Sequence, residues 1–171
     1  MAAIIGLSEE KVAEVIKKHY CTNVTIANYN SPTQIVITGP RTEIELMHSF
    51  FEEANVRFIP LNVSGAFHSP YMSDARKQFE EFIDVFTFSE PSIPVISNVE
   101  ARPYKKGEIK KNLIEQITHS VKWTESVRYL MGRGEMEFEE IGPGKILTRL
   151  IQSIRKDAAP LVVTDEERKK A

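Results

Sequence analysis

Val24-Thr25-Ile26-Ala27-Asn28-Tyr29, then Asn30-Ser31-Pro32-Thr33, then Gln34-Ile35-Val36-Ile37-Thr38 follow one another without a break and read as strand, turn and strand. Branched and aromatic side chains pack well on a pleated surface, and Asn, Ser and Pro favour the reversal between two such runs. Gly39-Pro40 ends the second run, because proline has no N–H to offer a ladder.

Upstream of this hairpin, residues 2–7 read as a buried strand, and Ser8 caps a helix carrying Val12, Val15, Ile16 and Tyr20 at helical spacing. Downstream, residues 42–54 place Ile44, Met47, Phe50, Phe51 and Ala54 on one helical face, and residues 58–63 supply a fourth strand. The order is β-α-β-β-α-β, the ferredoxin-like arrangement, over residues 1–62.

Residues 63–155 change character. A long helix begins at Ser69 and turns Met72, Ala75, Phe79, Phe82, Ile83 and Phe86 inward, followed by the apolar run Ile93-Pro94-Val95-Ile96. Helices are expected over 108–118 and 124–133, then a short strand over 138–141 that Gly142-Pro143-Gly144 turns into a helix bearing Ile146, Leu147, Leu150, Ile151 and Ile154. Alternation of this kind predicts a piece of a parallel α/β sheet. Residues 156–171 end in Thr164-Asp165-Glu166-Glu167-Arg168-Lys169-Lys170, a polar tail.

Bulk composition narrows the possible partners. The chain of 171 residues is 42% hydrophobic and 27% charged with a formal charge of −2, so it offers no electrostatic attraction to nucleic acid or an anionic membrane. A chain this long buries roughly 70% of its unfolded surface, enough for one sizeable core or one and a half small ones. Its single cysteine, Cys21, excludes an internal disulfide, no Cys/His spacing resembles a metal site, and a cytoplasmic setting is expected. No apolar run approaches the roughly 20 residues of a membrane span, and residues 1–7 lack the basic start of a signal peptide.

The candidate chemistry centres on Val63-Ser64-Gly65-Ala66-Phe67-His68-Ser69-Pro70. Small, flexible residues follow a strand, and Ser69 and Pro70 carry the cap and first-position signals of a helix, so His68 falls on a corner. Histidine takes and returns a proton near neutral pH. From the residues alone, a catalytic base and a helix-start histidine with a structural hydrogen bond both stay open. Acyl chemistry needs a nucleophile that such a base can activate, and none of the eight glycines opens a Gly-x-Ser-x-Gly elbow. Gly142-Pro143-Gly144-Lys145 is too short for a phosphate loop and loses an amide at Pro143, so it reads as a tight turn. His19, His48 and His119 read as surface or capping residues, and Cys21 as a small buried hydrophobe.

Several blocks in order carry a more specific signal: Met1-Ala2-Ala3-Ile4-Ile5-Gly6-Leu7, Asn30-Ser31-Pro32 with Gln34-Ile35-Val36-Ile37, Gly65-Ala66-Phe67-His68-Ser69, Ile93-Pro94-Val95-Ile96-Ser97-Asn98-Val99, Val121-Lys122-Trp123 and Glu140-Ile141-Gly142-Pro143-Gly144-Lys145. Together they resemble the malonyl-CoA:acyl carrier protein transacylases, including the trans-acting acyltransferases of polyketide synthesis. The resemblance implies a ferredoxin-like subdomain inserted in a larger α/β-hydrolase-like one, with this chain holding the whole of the former and the C-terminal part of the latter. It implies no bound cofactor, malonyl-CoA as substrate, and an acyl carrier protein whose phosphopantetheine thiol receives the malonyl group through a seryl acyl-enzyme. It implies His68 as the base, the Gln116 carbonyl as the group that orients it in place of a carboxylate, and Phe67 as the residue narrowing the acyl pocket. It sets Asn30 near that pocket and Arg57 near the entrance, close to phosphates of coenzyme A or phosphopantetheine. The serine, the arginine for the malonyl carboxylate and a glutamine oxyanion donor would lie upstream of Met1, so the isolated chain is expected to be inactive. Arg149 departs from the glycine common in the family's Leu-Thr-Gly-Leu stretch. Two other functions fit the same residues: a non-catalytic module that docks carrier protein or complements an N-terminal piece or a polyketide synthase, and an acyl-carrier-protein hydrolase.

Overall fold

The computed structural model describes residues 1–53, 56–164 and 167. Four strands form one antiparallel sheet: β1 (Ala2–Ile5), β2 (Thr25–Ser31), β3 (Gln34–Thr38) and β4 (Arg57–Pro60), in the order β2-β3-β1-β4. Helices α1 (Glu9–Lys18) and α2 (Arg41–Glu53) make the two crossovers. This is the ferredoxin-like order read from the hairpin outward.

Strand alternation sorts the side chains. Ala2, Ile4, Ile35 and Ile37 point to the helical side, where Val12 of α1 and Ile44, Met47 and Phe51 of α2 close over them in the main core. Ala3, Val36 and Ala27 form a thin second cluster with Met1 and Leu61 on the opposite face.

The hairpin differs in one detail. Asn30 and Ser31 belong to β2, and the turn is only Pro32 and Thr33. The register slips between Tyr29 and Ser31, so Asn30 is an extra residue that the facing strand does not match, a bulge. Ser31 is buried, and Thr33 donates its N–H to the Ser31 hydroxyl, a local bond that short polar turn residues favour. Ala54 and residues 165, 166 and 168–171 of the polar tail lie outside the described residues, while Lys156 and Asp157 of that tail belong to the last helix and Val163 is buried.

Beyond β4 the described chain is helical, with a 3-10 turn (Pro70–Met72), α3 (Ser73–Ile83), α4 (Ile109–Glu115), α5 (Trp123–Gly132) and α6 (Ile146–Asp157). The strands expected over 93–96 and 138–141 are not present, and with them goes the expected parallel sheet: Ile96 makes a single bridge to Pro103, while residues 138–141 are irregular. Apolar runs become strands only when a neighbour takes up their N–H and C=O groups. Ile93 and Ile141 are instead 74% and 94% exposed. Around the end of α3, Ile83 is buried but Phe82, and Phe86 three residues past the helix, both expected to face inward, are exposed.

One seam joins the helical part to the sheet. The Ser120 hydroxyl donates to Ile26 O, Val121 N–H to Ala27 O, Tyr29 N–H to Val121 O, and the Thr124 hydroxyl to Tyr29 O. Residues 120–124 therefore run along the free edge of β2 and pair it, with a parallel bridge between Asn28 and Val121. A small core of Val127, Met131 and Ile154, with Trp123 and Phe138 against it, holds α5 to α6.

Phe51 is fully buried at the centre of the larger core. Phe51→Ala is expected to lower stability by about 3–5 kcal/mol, read as a fall in the urea midpoint with the denaturant slope unchanged.

Candidate functional site

His68 holds a left-handed backbone conformation, φ 59°. A β-carbon crowds the following carbonyl in that region, so the conformation persists where neighbours hold it. Ser69 supplies the hold. It is 1% exposed, its hydroxyl donates to Ala66 O and accepts the Tyr71 N–H, and its carbonyl accepts the Met72 N–H. With Pro70 at the first position, the corner passes directly into the 3-10 turn.

Gln116, 48 residues further along, brings its carbonyl to 2.9 Å from His68 Nδ1. Gln116 is the C-terminal cap of α4, and the N–H groups of Ile117, Thr118 and His119 go to the Ile114 and Glu115 carbonyls instead of its own. Among the described residues no main-chain N–H takes this oxygen. A carbonyl can only accept, so Nδ1 carries the hydrogen, and in the neutral ring Nε2 is left with the lone pair. A neutral oxygen thus selects the imidazole tautomer without introducing a buried negative charge.

Phe67 lies beside this corner, 37% exposed; a methyl group on Gly65 would sit 3.8 Å from its ring and 3.5 Å from Met72 Sδ. The structure therefore gathers His68, Gln116 and Phe67. Asn30 is half-buried at the β2 bulge and Arg57 is exposed at the start of edge strand β4. Among the described residues neither is linked to His68 by a hydrogen bond or ion pair. A cleft of about 450 Å³ opens between the small subdomain and the loop before the corner, walled by Met1, Arg41, Pro60, Val63 and Gly65. His68 is not in its wall.

The remaining candidates have local partners. His119 Nδ1 donates to Glu115 O at the end of α4, His19 stacks on Phe50 with ring centres 3.6 Å apart, and His48 pairs with Glu52 at 3.1 Å. Cys21 is buried, and burial, aided by Glu43, pushes its thiol above the ordinary value, which opposes the thiolate a nucleophile needs. Arg149 is exposed on α6.

Gly142 and Gly144 have φ of 143° and 97°, which glycine alone adopts at no steric cost, and they fold Glu140 back onto the start of α6. Its carboxylate accepts the Leu147 N–H at 3.1 Å, the Thr148 N–H at 2.9 Å and the Thr148 hydroxyl at 2.7 Å. The helix N-terminus that a phosphate would use already holds an anion from the chain itself.

Against known proteins, residues 2–166 match the acyl transferase domain. The chain belongs to that family. Its relatives include the polyketide biosynthesis malonyl CoA-acyl carrier protein transacylase PksC of Bacillus subtilis, 56% identical over 92% of this chain and 56% of that protein. The crystal structure of the malonyl CoA-acyl carrier protein transacylase of Burkholderia pseudomallei superposes with a TM-score of 0.88 at 43% identity, covering 92% of this chain and 56% of that one. A malonyl-transacylase solved in complex with a type II polyketide synthase acyl-carrier protein superposes at 0.85, with 31% identity over 92% of this chain and 52% of that one. The chain spans about half the length of the curated malonyl CoA-acyl carrier protein transacylases it matches. Among its described residues, no helix is long and apolar enough to cross a membrane.

Sequence reading passed over Asn112 and met Ser97 and Asn98 only within the block Ile93-Pro94-Val95-Ile96-Ser97-Asn98-Val99. Ser97 and Asn112 are both buried and bonded to each other, and the Asn98 amide reaches the Gln116 side chain. The signal available was a polar Ser97-Asn98 pair closing Ile93-Pro94-Val95-Ile96.

The Thr148 N–H, first among several donors, holds the Glu140 carboxyl below its ordinary value of 4.5. A carboxyl lowered in this way stabilises the fold above that value and loses its contribution as pH falls through the folded one. Glu140→Gln is therefore expected to melt at a lower temperature than the parent at pH 7, with the gap narrowing as pH falls below 4.5; a gap that does not narrow in acid would remove the ionised cap.

Proposed function

We propose that this chain is the base-bearing portion of a transferase that moves a malonyl group from malonyl-CoA to the phosphopantetheine thiol of an acyl carrier protein, in polyketide or fatty-acid synthesis. The reading is carried by one observation, the 2.9 Å contact of His68 Nδ1 with the Gln116 carbonyl at a strained corner, within a chain matched to the acyl transferase domain over residues 2–166. The names of its relatives, one of them solved with a carrier protein, support the substrate and the partner.

In the first half-reaction a serine hydroxyl attacks the malonyl thioester carbonyl while His68 Nε2 takes its proton. The C–S bond breaks, and coenzyme A leaves with that proton as a free thiol. In the second, the phosphopantetheine thiol gives its proton to Nε2 and attacks the seryl ester; serine departs and recovers the proton. His68 ends each half-reaction neutral, with Nδ1–H donated to Gln116 throughout.

The serine belongs to a segment not among these 171 residues, which also covers the exposed apolar side chains of residues 63–155. Phe82, Val85, Ile93 and Ile141, the last 94% exposed, support that division into a complete small subdomain over 1–62 and a part of a larger one over 63–155. Phe67 narrows the acyl pocket beside the base. Asn30 borders that pocket, and Arg57 meets phosphates at its entrance.

The isolated chain is expected to show no labelling by radioactive malonyl-CoA and no transfer to carrier protein; acquired and transferred label would overturn the missing-serine argument. In the longer protein, His68→Ala is expected to slow malonyl loading by roughly 10²- to 10⁴-fold, and undiminished loading would take His68 out of the chemistry. Phe67→Ser is expected to raise kcat/KM for methylmalonyl-CoA relative to malonyl-CoA; an unchanged ratio would sink the pocket assignment.

A further inference from the structure

Gln116 acts on His68 through its backbone, which leaves its side chain unexplained. That side chain accepts a hydrogen bond from Asn98 Nδ2 at 3.1 Å. The rest of Asn98 is tied as well, its carbonyl accepting the Lys122 N–H at 3.0 Å. Asn98 thus touches the chain on both sides of the segment that follows α4.

The turn that carries Asn98 is itself rigid. Ser97 is buried, its N–H donates to Arg102 O at 2.8 Å and its carbonyl accepts the Ala101 N–H at 2.9 Å. The Ser97 hydroxyl accepts the N–H groups of Val99 and Glu100 and donates to Asn112 Oδ1 at 3.0 Å. Asn112 Nδ2 in turn donates to Glu108 O at the start of α4. Ala101 is fully buried with φ 53°, a left-handed conformation held by the surrounding bonds. The turn therefore grips α4 at Asn112, its cap at Gln116 and the chain beyond at Lys122.

That grip matters because α4 has only seven residues. The N–H groups of Ile117, Thr118 and His119 tie back to the Ile114 and Glu115 carbonyls, but the Gln116 carbonyl has no main-chain donor among the described residues, so its direction depends on what holds Gln116 from outside the helix. We propose that Asn98 is a positioning residue: by holding the Gln116 side chain it fixes the direction of the Gln116 carbonyl, and so keeps the hydrogen of His68 on Nδ1. The proposal deepens the function given above and rests on that reading for its catalytic consequence, whereas its structural content stands on the hydrogen bonds alone. Asn98 and the Gln116 side chain are solvent-accessible, so their exchange leaves the core intact.

The test is the His68 tautomer in the 171-residue chain, read from imidazole nitrogen chemical shifts with melting temperature as the control. The parent is expected to hold the hydrogen on Nδ1. Asn98→Ala, Asn98→Asp and Gln116→Ala should each raise the Nε2–H form relative to the Nδ1–H form by a factor of roughly 2 to 10, the shift one net hydrogen bond can produce. The Asn98→Ala/Gln116→Ala pair should do no more than either alone, since both remove one bond. Gln116→Glu, which keeps the acceptor, should behave as the parent. A tautomer ratio that stays at the parent value in Asn98→Ala and Gln116→Ala, or effects that add in the double variant, would overturn the proposal. The same series in the longer protein should lower kcat for malonyl loading with KM unchanged. Unaffected loading in His68→Ala alongside a shifted tautomer in Asn98→Ala would count against the transferase reading and leave the positioning role standing.

Discussion

The seam along the edge of β2 governs the arrangement of everything else. Residues 120–124 satisfy the free N–H and C=O groups of Ile26, Ala27 and Tyr29, and in doing so anchor the chain between α4 and α5 to the sheet. An unpaired edge is costly and prone to wrong partners, so a short segment that pairs it is held firmly. Because Val121 follows Gln116 by five residues and Lys122 is bonded to Asn98, the same seam sets where the end of α4 lies. On the other side, β4 delivers the chain to the His68 corner. The 2.9 Å bond between His68 and Gln116 is the meeting point of these two routes.

That bond orients an imidazole with very little. A conventional triad uses a carboxylate, whose burial needs compensating partners. Here a carbonyl left over at a helix end does the orienting, and the dipole of the short α4 adds some negative character at the same place. The cost moves elsewhere, into the left-handed backbone of His68 and Ala101 and into a buried Ser97–Asn112 pair whose hydrogen bonds must all be met.

The two parts of the chain differ in how self-sufficient they are. Residues 1–62 close a core of ten buried residues between a sheet and two helices. Beyond residue 63, α5 and α6 share a core built on Val127, Met131 and Ile154, while Phe82, Val85 and Ile93 face solvent. Such an imbalance suits a unit whose apolar surface has a further partner, and it accords with a chain that spans about half the length of its relatives.

The small subdomain was legible because its signals are local. The apolar runs Ala2-Ala3-Ile4-Ile5 and Ile35-Val36-Ile37, helical spacing from Val12 to Ile16, and the turn at Pro32-Thr33 each act within a few positions, whereas Tyr20, read on the same helical face, lies past α1 and is exposed. The strands read at 93–96 and 138–141 failed for the complementary reason: an apolar run encodes burial, but a strand also needs a neighbour's hydrogen bonds, and none is supplied there. Ser69 was readable as a cap, since a cap bonds to residues just after it. Composition, element order, the cap and the presence of a lone histidine on a corner were all properties of the chain as written. That His68 meets a carbonyl 48 residues away, that Asn30 sits on a bulge, and that Asn98 grips Gln116 are matters of packing between distant segments, which no local spacing encodes.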